Sequence, residues 1–152
     1  MGSAANIRFG ECCVLDRNMV VECEGTLYVG DRVIFGHHCT LAAQESVVIG
    51  ADTLIAEMVS IRDHDHCFAR TDIPIREQGV NTAPVVIGQN VWIGAKVTVV
   101  KGVHIGDNAI IGANAVVTRD IPAGAIAVGV PARVVRLREE GIQIPNEAGT
   151  NE

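Results

Sequence analysis

The chain has 152 residues, 48% of them hydrophobic but only 3% aromatic, and carries a net charge of −6 at pH 7. One domain is the default at this length, and the acidic balance excludes the basic face that a nucleic-acid partner requires. No stretch approaches the roughly 18 apolar residues of a membrane span, and the N-terminus lacks the basic and apolar regions of a secretory signal, so a cytoplasmic protein is expected.

From the N-terminus, apolar residues recur loosely at every sixth position: Phe9, Leu15, Val21 and Leu27, then Val29, Phe35, Leu41 and Val47, then Ile49, Ile55 and Ile61. The phase slips by two residues before Val29 and again before Ile49, as a two-residue bulge at one corner of each early coil would produce. After a break, seven strict hexads open at Ile87, Ile93, Val99, Ile105, Ile111, Val117 and Ala123, and Gly follows directly in five of them. A helix would scatter residues six apart over three faces, whereas positions i and i+4 of a strand share one. Asn90, Gly102, Asn108 and Asn114 stand at the fourth place of their hexads and tolerate the left-handed backbone of a tight corner. Short strands joined by such corners predict a parallel β-helix, a triangular prism with three hexads per coil and the opening residue always inward.

The stretch Pro131–Glu140 leaves the pattern and reads as a short C-terminal helix capping the prism, stopped by Gly141, with a polar tail after Ile144. The domain reading is a β-helix over 1–130 with a loop inserted at 62–84, then a helix and tail over 131–152. Five cysteines (Cys12, Cys13, Cys23, Cys39 and Cys67) lack framework or metal-ligand spacing. Cys13 and Cys39 fall on inward positions, as small buried hydrophobes of a reducing compartment. The high mean hydropathy reads as apolar surface buried between subunits.

Between Ile61 and Val85 the repeat stops for RDHDHCFARTDIPIREQGVNTAP. A loop of that length inside a compact repeat is usually functional. His64 and His66 at its mouth could serve as a general base, as metal ligands or as solvated polar residues.

IRDHDH, followed by PVVIGQNVWIGAKVTVVKGVHIGDNAIIGANAVVTRDIPAGAIAVGVPARVV, resembles the acyltransferases of the hexapeptide-repeat superfamily. The resemblance is strongest from Ile49 to Val135 and points to the maltose/galactoside O-acetyltransferase-like branch, including short enzymes that acetylate polysaccharide sugars. It implies an all-β, left-handed parallel β-helix and an acetyltransferase that uses acetyl-CoA as acyl donor, without a metal. It also implies a homotrimer with active sites between neighbouring prisms. The family's catalytic histidine falls eleven residues after the opening residue of the hexad at its level. Counted from Ile55 this is His66, with His64 as second choice. Such an imidazole takes the proton of an acceptor hydroxyl that attacks the thioester, a role suited to its near-neutral pKa. Asp63 and Asp65 each read as a solvated loop carboxylate, with orientation of the ring as the alternative.

By the same resemblance, Ala95 and Ala113 are small residues beside the pantetheine arm, and Thr118 and Arg119 match a Thr-Lys pair at the cofactor. Arg133 and Arg136 match basic residues that face the nucleotide phosphates. Trp92 should point outward, to a subunit interface or to stack on the acceptor. The family's acceptor-contacting Asn and Asp stand here as Gly36 and Gln44, so a nucleotide-linked or lipid-linked sugar is implied as readily as a simple one. His37 and His38 on the neighbouring coil could line the same cleft or be plain corner residues.

Three other readings remain open. The acceptor could be the amine of an amino sugar or nucleotide-sugar. The same prism carries zinc in γ-type carbonic anhydrases, but their histidine pair five residues apart has no counterpart here. A non-catalytic assembly platform would keep the hexads and lose the histidine, yet His66 is present.

Overall fold

A corner between very short strands forces one residue into left-handed backbone, and the computed structural model, which describes residues 5–138, shows it at every expected place. Asn90, Asn108 and Asn114 have φ of +53°, +61° and +62°, and Gly102 has φ +76°. Arg32, Met58 and Lys96 adopt the same conformation at equivalent corners. Position in the hexad therefore decides the conformation, and residue type only sets its cost.

The strands between the corners stack into three parallel sheets. Sheet A contains Asn6–Phe9, Thr26–Val29, Ser46–Ile49, Val85–Ile87 and His104–Ile105. Sheet B contains Val14–Leu15, Ile34–Phe35, Leu54–Ile55, Trp92–Ile93, Ile110–Ile111 and Ala125–Val128. Sheet C contains Val20–Cys23, Thr40–Ala43, Ser60–Arg62, Thr98–Val99 and Val116–Val117. The chain visits A, B and C in turn through about six left-handed coils. Inward rows such as Phe35, Ile55, Ile93 and Ile111 are at most 2% exposed, so each coil buries the next. Among the described residues no helix is long and apolar enough to cross a membrane.

Coil length varies, but only at one edge. The A–B and B–C steps are six residues in each coil, as in Val29 to Phe35 to Leu41. The C–A step carries two extra residues in the first two coils, at Glu24–Gly25 and Gln44–Glu45, where the sequence phase slips. In the third coil the same step carries the 62–84 insertion.

Three expectations need correction. Ala123 is exposed rather than inward; Ile121, 4% exposed, bridges to Ile105 in its place. The last C–A corner is cut two residues short, so the register there advances by 16. Among the described residues the expected C-terminal helix is replaced by a strand: Arg133–Leu137 runs antiparallel to Ala125–Val128. The open edge of sheet B needs hydrogen-bond partners, and the β-branched Val134 and Val135 suit a strand better than a helix. Residues 139–140, Gly141 and the tail lie outside the described residues. The insertion, finally, has structure of its own. His64–His66 pairs antiparallel with Val80–Thr82, and a 3-10 turn forms at Ile75–Glu77.

At the N-terminal end the inward residues Ile7, Leu15 and Val21 are 48%, 49% and 38% exposed, because no described coil covers them. Cys39 is buried and Cys13 half-buried, each donating its thiol to a backbone carbonyl across a coil, Ala56 and Gly30 respectively, at 3.1 Å.

Candidate functional site

The hairpin leaves the prism at the C–A edge, and its root is fixed by Asp63. In the first coil the corner amides of Glu24 and Thr26 donate to the carbonyls of Ala43 and Glu45 in the coil above. The second coil has no such corner above it, because the third coil departs into the hairpin. The Asp63 carboxylate takes over. Oδ1 accepts from the Gln44 amide at 2.9 Å, and Oδ2 accepts from the amides of Glu45 and Ser46 at 2.7 Å each. Asp63 is 0% exposed, so the solvated reading of this residue is wrong. Burial pushes its pKa up, but the N–H groups of Gln44, His64, Glu45 and Ser46 outweigh that and hold the carboxyl below its ordinary range.

His64 completes the cluster: its Nδ1 lies 3.0 Å from Asp63 Oδ1. Its side chain is 18% exposed and borders a depression of about 330 Å³ lined also by Glu22, Cys23, Glu24, Ala43 and Gln44. Gln44 and His64 are thus brought together. His66, two residues further along the strand, is exposed. It lines a second depression of about 400 Å³ with Asp65, Cys67, Phe68, Asn81 and Lys101. Lys101 Nζ approaches Asp65 Oδ2 at 3.9 Å, so Asp65 pairs with a lysine rather than with a histidine ring.

The other candidates lie at different places on the prism. Ala95 and Ala113 occupy stacked B–C corners, joined by the Asn114 amide donating to the Ala95 carbonyl at 2.9 Å. Arg133 is paired with Val128 beyond them, near the same edge. Thr118 and Arg119 are exposed at the C–A edge, above the hairpin. His38 lies on the B–C edge with φ +59°, its Nε2 3.1 Å from Asn18 Nδ2. Within one chain His37 and His38 therefore stand across sheet C from the hairpin, and do not share its depressions. Of the two sequence readings, a shared cleft with the hairpin is not met within one chain, because counting coils does not show which edge a residue turns.

Trp92 points outward as expected and is 54% exposed. It belongs to an in-register apolar ladder on sheet B: Val14, Ile34, Leu54, Trp92, Ile110 and Ile126. Arg136, paired with Ile126, ends the ladder. Among the described residues no three His, Cys, Asp or Glu side chains converge as metal ligands.

Residues 84–119 match the family model described as bacterial transferase hexapeptide (six repeats). The chain is 30% identical over 135 residues to the putative colanic acid biosynthesis acetyltransferase WcaF of Escherichia coli, covering 88% of this chain and 70% of WcaF. It is 40% identical over 119 residues to the putative lipopolysaccharide biosynthesis O-acetyl transferase WbbJ of the same organism, covering 74% and 61% of the two chains. Among solved structures, galactoside acetyltransferase in complex with coenzyme A superposes with a TM-score of 0.76 at 32% identity, covering 87% of this chain and 64% of that one. The chain spans about half the length of the first curated relatives it matches.

Proposed function

The chain belongs to the bacterial hexapeptide-repeat transferase family, and on that premise we propose that it moves an acetyl group from acetyl-CoA to a hydroxyl of a sugar-containing acceptor. His66 is the general base. Its imidazole takes the hydroxyl proton as the acceptor oxygen attacks the thioester carbonyl, and the tetrahedral intermediate collapses to release CoA thiolate. General-base help of this kind is worth about 10²–10⁴-fold. Ala95 and Ala113 leave room for the pantetheine arm against the coil backbone, and Arg133 and Arg136 meet the phosphates. Thr118 and Arg119 complete the cofactor contacts.

The observation that carries this reading is the split of the candidate residues between two edges. The hairpin with His66 stands at the C–A edge, whereas Ala95 and Ala113 stand at the B–C edge, on the far side of sheet C. One prism cannot bring them together, but a neighbouring copy can place its hairpin against this B–C edge. A homotrimer satisfies that requirement for every subunit at once. The exposed Phe68 and Ile75 of the hairpin would then lie beside the Trp92 ladder of the neighbour.

Acetyl-CoA at about 100 times its dissociation constant should stabilise the protein by roughly 2.7 kcal/mol. His66→Ala should keep that stabilisation and the trimer while losing most acetyl-CoA-dependent thiol release across a panel of sugars and nucleotide-sugars. Absence of any melting shift at millimolar acetyl-CoA refutes the assignment. Release that depends only on amino sugars moves it to N-acetylation.

A further inference from the structure

Granted the acetyltransferase reading above, we infer that Asp63 is a positioning residue for His64, and that His64 accepts a hydrogen bond from a second donor group of the acceptor beside His66. A carboxylate offers about four acceptor sites. The four contacts of Asp63, to three backbone amides and one ring nitrogen, use all of them. A carboxylate only accepts, so the proton of His64 must sit on Nδ1. Whenever the ring carries no second proton, Nε2 presents a bare lone pair on the side away from Asp63. The same carboxylate holds the Gln44 backbone, so ring and corner form one rigid unit bordering the 330 Å³ depression.

His64 and His66 are i and i+2 on one strand, so their side chains leave the same face, roughly 7 Å apart along the chain. The two imidazoles border separate depressions, so the acceptor must span from one to the other, presenting its reacting hydroxyl to His66 and a second donor group to His64. The chemistry selected is a polyhydroxylated or amino sugar with a hydroxyl or amine in addition to the acetylated one. An isolated alcohol lacks the second contact. The arrangement also explains why a buried acid sits at the root of an insertion: it both repairs the missing corner and fixes a tautomer.

Two measurements test this. Side-chain ¹⁵N NMR of the histidine-labelled full chain at pH 8 should show His64 as the Nδ1–H tautomer in the wild type. Asp63→Asn should shift it toward Nε2–H. Steady-state kinetics with methyl β-galactoside and D-glucosamine as probe acceptors should show His64→Ala raising the acceptor KM roughly tenfold, the loss of about one hydrogen bond. The KM for acetyl-CoA should stay within about twofold, and His64→Gln, whose amide oxygen accepts, should recover most of the loss. An Nε2–H tautomer in the wild type overturns the inference. So does a His64→Ala variant that loses kcat while His66→Ala keeps it, because His64 is then the base. If neither probe supports thiol release above the solvent rate in the wild type, the sugar-acetyltransferase reading fails, and with it the acceptor contact. The NMR result still decides the Asp63–His64 pairing. Should Asp63→Asn not fold, the wild-type tautomer and the two His64 variants carry the decision.

Discussion

Replacing Asn108 tests whether corner backbone, rather than side-chain contact, sets the stability of the prism. Asn108 is exposed, lies on the A–B edge, opposite neither the hairpin nor the Ala95 and Ala113 corners, and has φ +61°. Its Oδ1 accepts from Asn90 Nδ2 at 2.7 Å, and its amide donates to the Gln89 carbonyl at 2.9 Å, a bond that any non-proline residue keeps. Alanine in left-handed backbone costs about 1–2 kcal/mol, and asparagine less. An exposed side-chain hydrogen bond adds about 0.5 kcal/mol. Asn108→Ala should therefore lose about 1–2 kcal/mol. Asn108→Gly loses the same hydrogen bond but not the steric cost, and pays only the added freedom of its unfolded chain, about 0.5–1 kcal/mol. Guanidinium unfolding followed by circular dichroism, at one fixed protein concentration, compares the three proteins. In a thermal scan the alanine variant should melt roughly 2–8 °C below wild type, at about 2–4 °C per kcal/mol for this chain length. An alanine variant as stable as the glycine variant, or more so, refutes the reasoning.

Other outcomes follow from the same geometry. A Cβ built on Gly94 would stand 2.6 Å from the Ala113 amide nitrogen and 3.0 Å from the Ile111 carbonyl oxygen, backbone against backbone. Gly94→Ala should cost about 1–3 kcal/mol and, by displacing the Ala113 corner, weaken acetyl-CoA binding in calorimetry; unchanged affinity argues against that corner as the cofactor edge. Acid should act through Asp63. Its folded pKa lies below the ordinary value, so the unfolded chain takes up the proton first as pH falls. The stability it contributes is present above about pH 4 and is lost as pH falls through the folded pKa. Urea midpoints of wild type and Asp63→Asn should differ most near neutrality and converge on acidification; a gap that stays constant to pH 2 assigns the acid sensitivity elsewhere.

The fold was legible where the hexad arithmetic is local and strict. Asn90, Asn108 and Asn114 announced their corners, and the two phase slips marked the corners at Glu24–Gly25 and Gln44–Glu45. Legibility failed where tertiary demand overrode the pattern. Nothing in Pro131–Leu137 reveals that the last strand of sheet B lacks a neighbour, and the strand that supplies one was read as a helix. Ala123 continued the count faithfully, but the chain had already cut its corner. Asp63 was read first as solvated although a signal against that existed. It lies 20 residues after Ala43 and 40 after Cys23, which pair with each other in one row. Continuing that row would have marked Asp63 as inward, and an inward acid must find donors. The split of candidate residues between two edges was not readable, because the sequence shows their order along the chain and not which corner each one turns.

All variation in coil length falls on the C–A edge: two extra residues in the first two coils, the hairpin in the third, a shortened corner in the last. The other two edges keep their six-residue step throughout, so what is added at the third edge never alters the register of the rows it interrupts. Because the entropy of closing a loop grows only slowly with its length, the insertion can lengthen, shorten or change its sequence at little expense to the scaffold. The prism works as a fixed chassis with a single expansion slot. On the function proposed above, exchanging residues 64–82 between relatives should transplant acceptor preference and leave the Ala95 and Ala113 corners of the B–C edge in register.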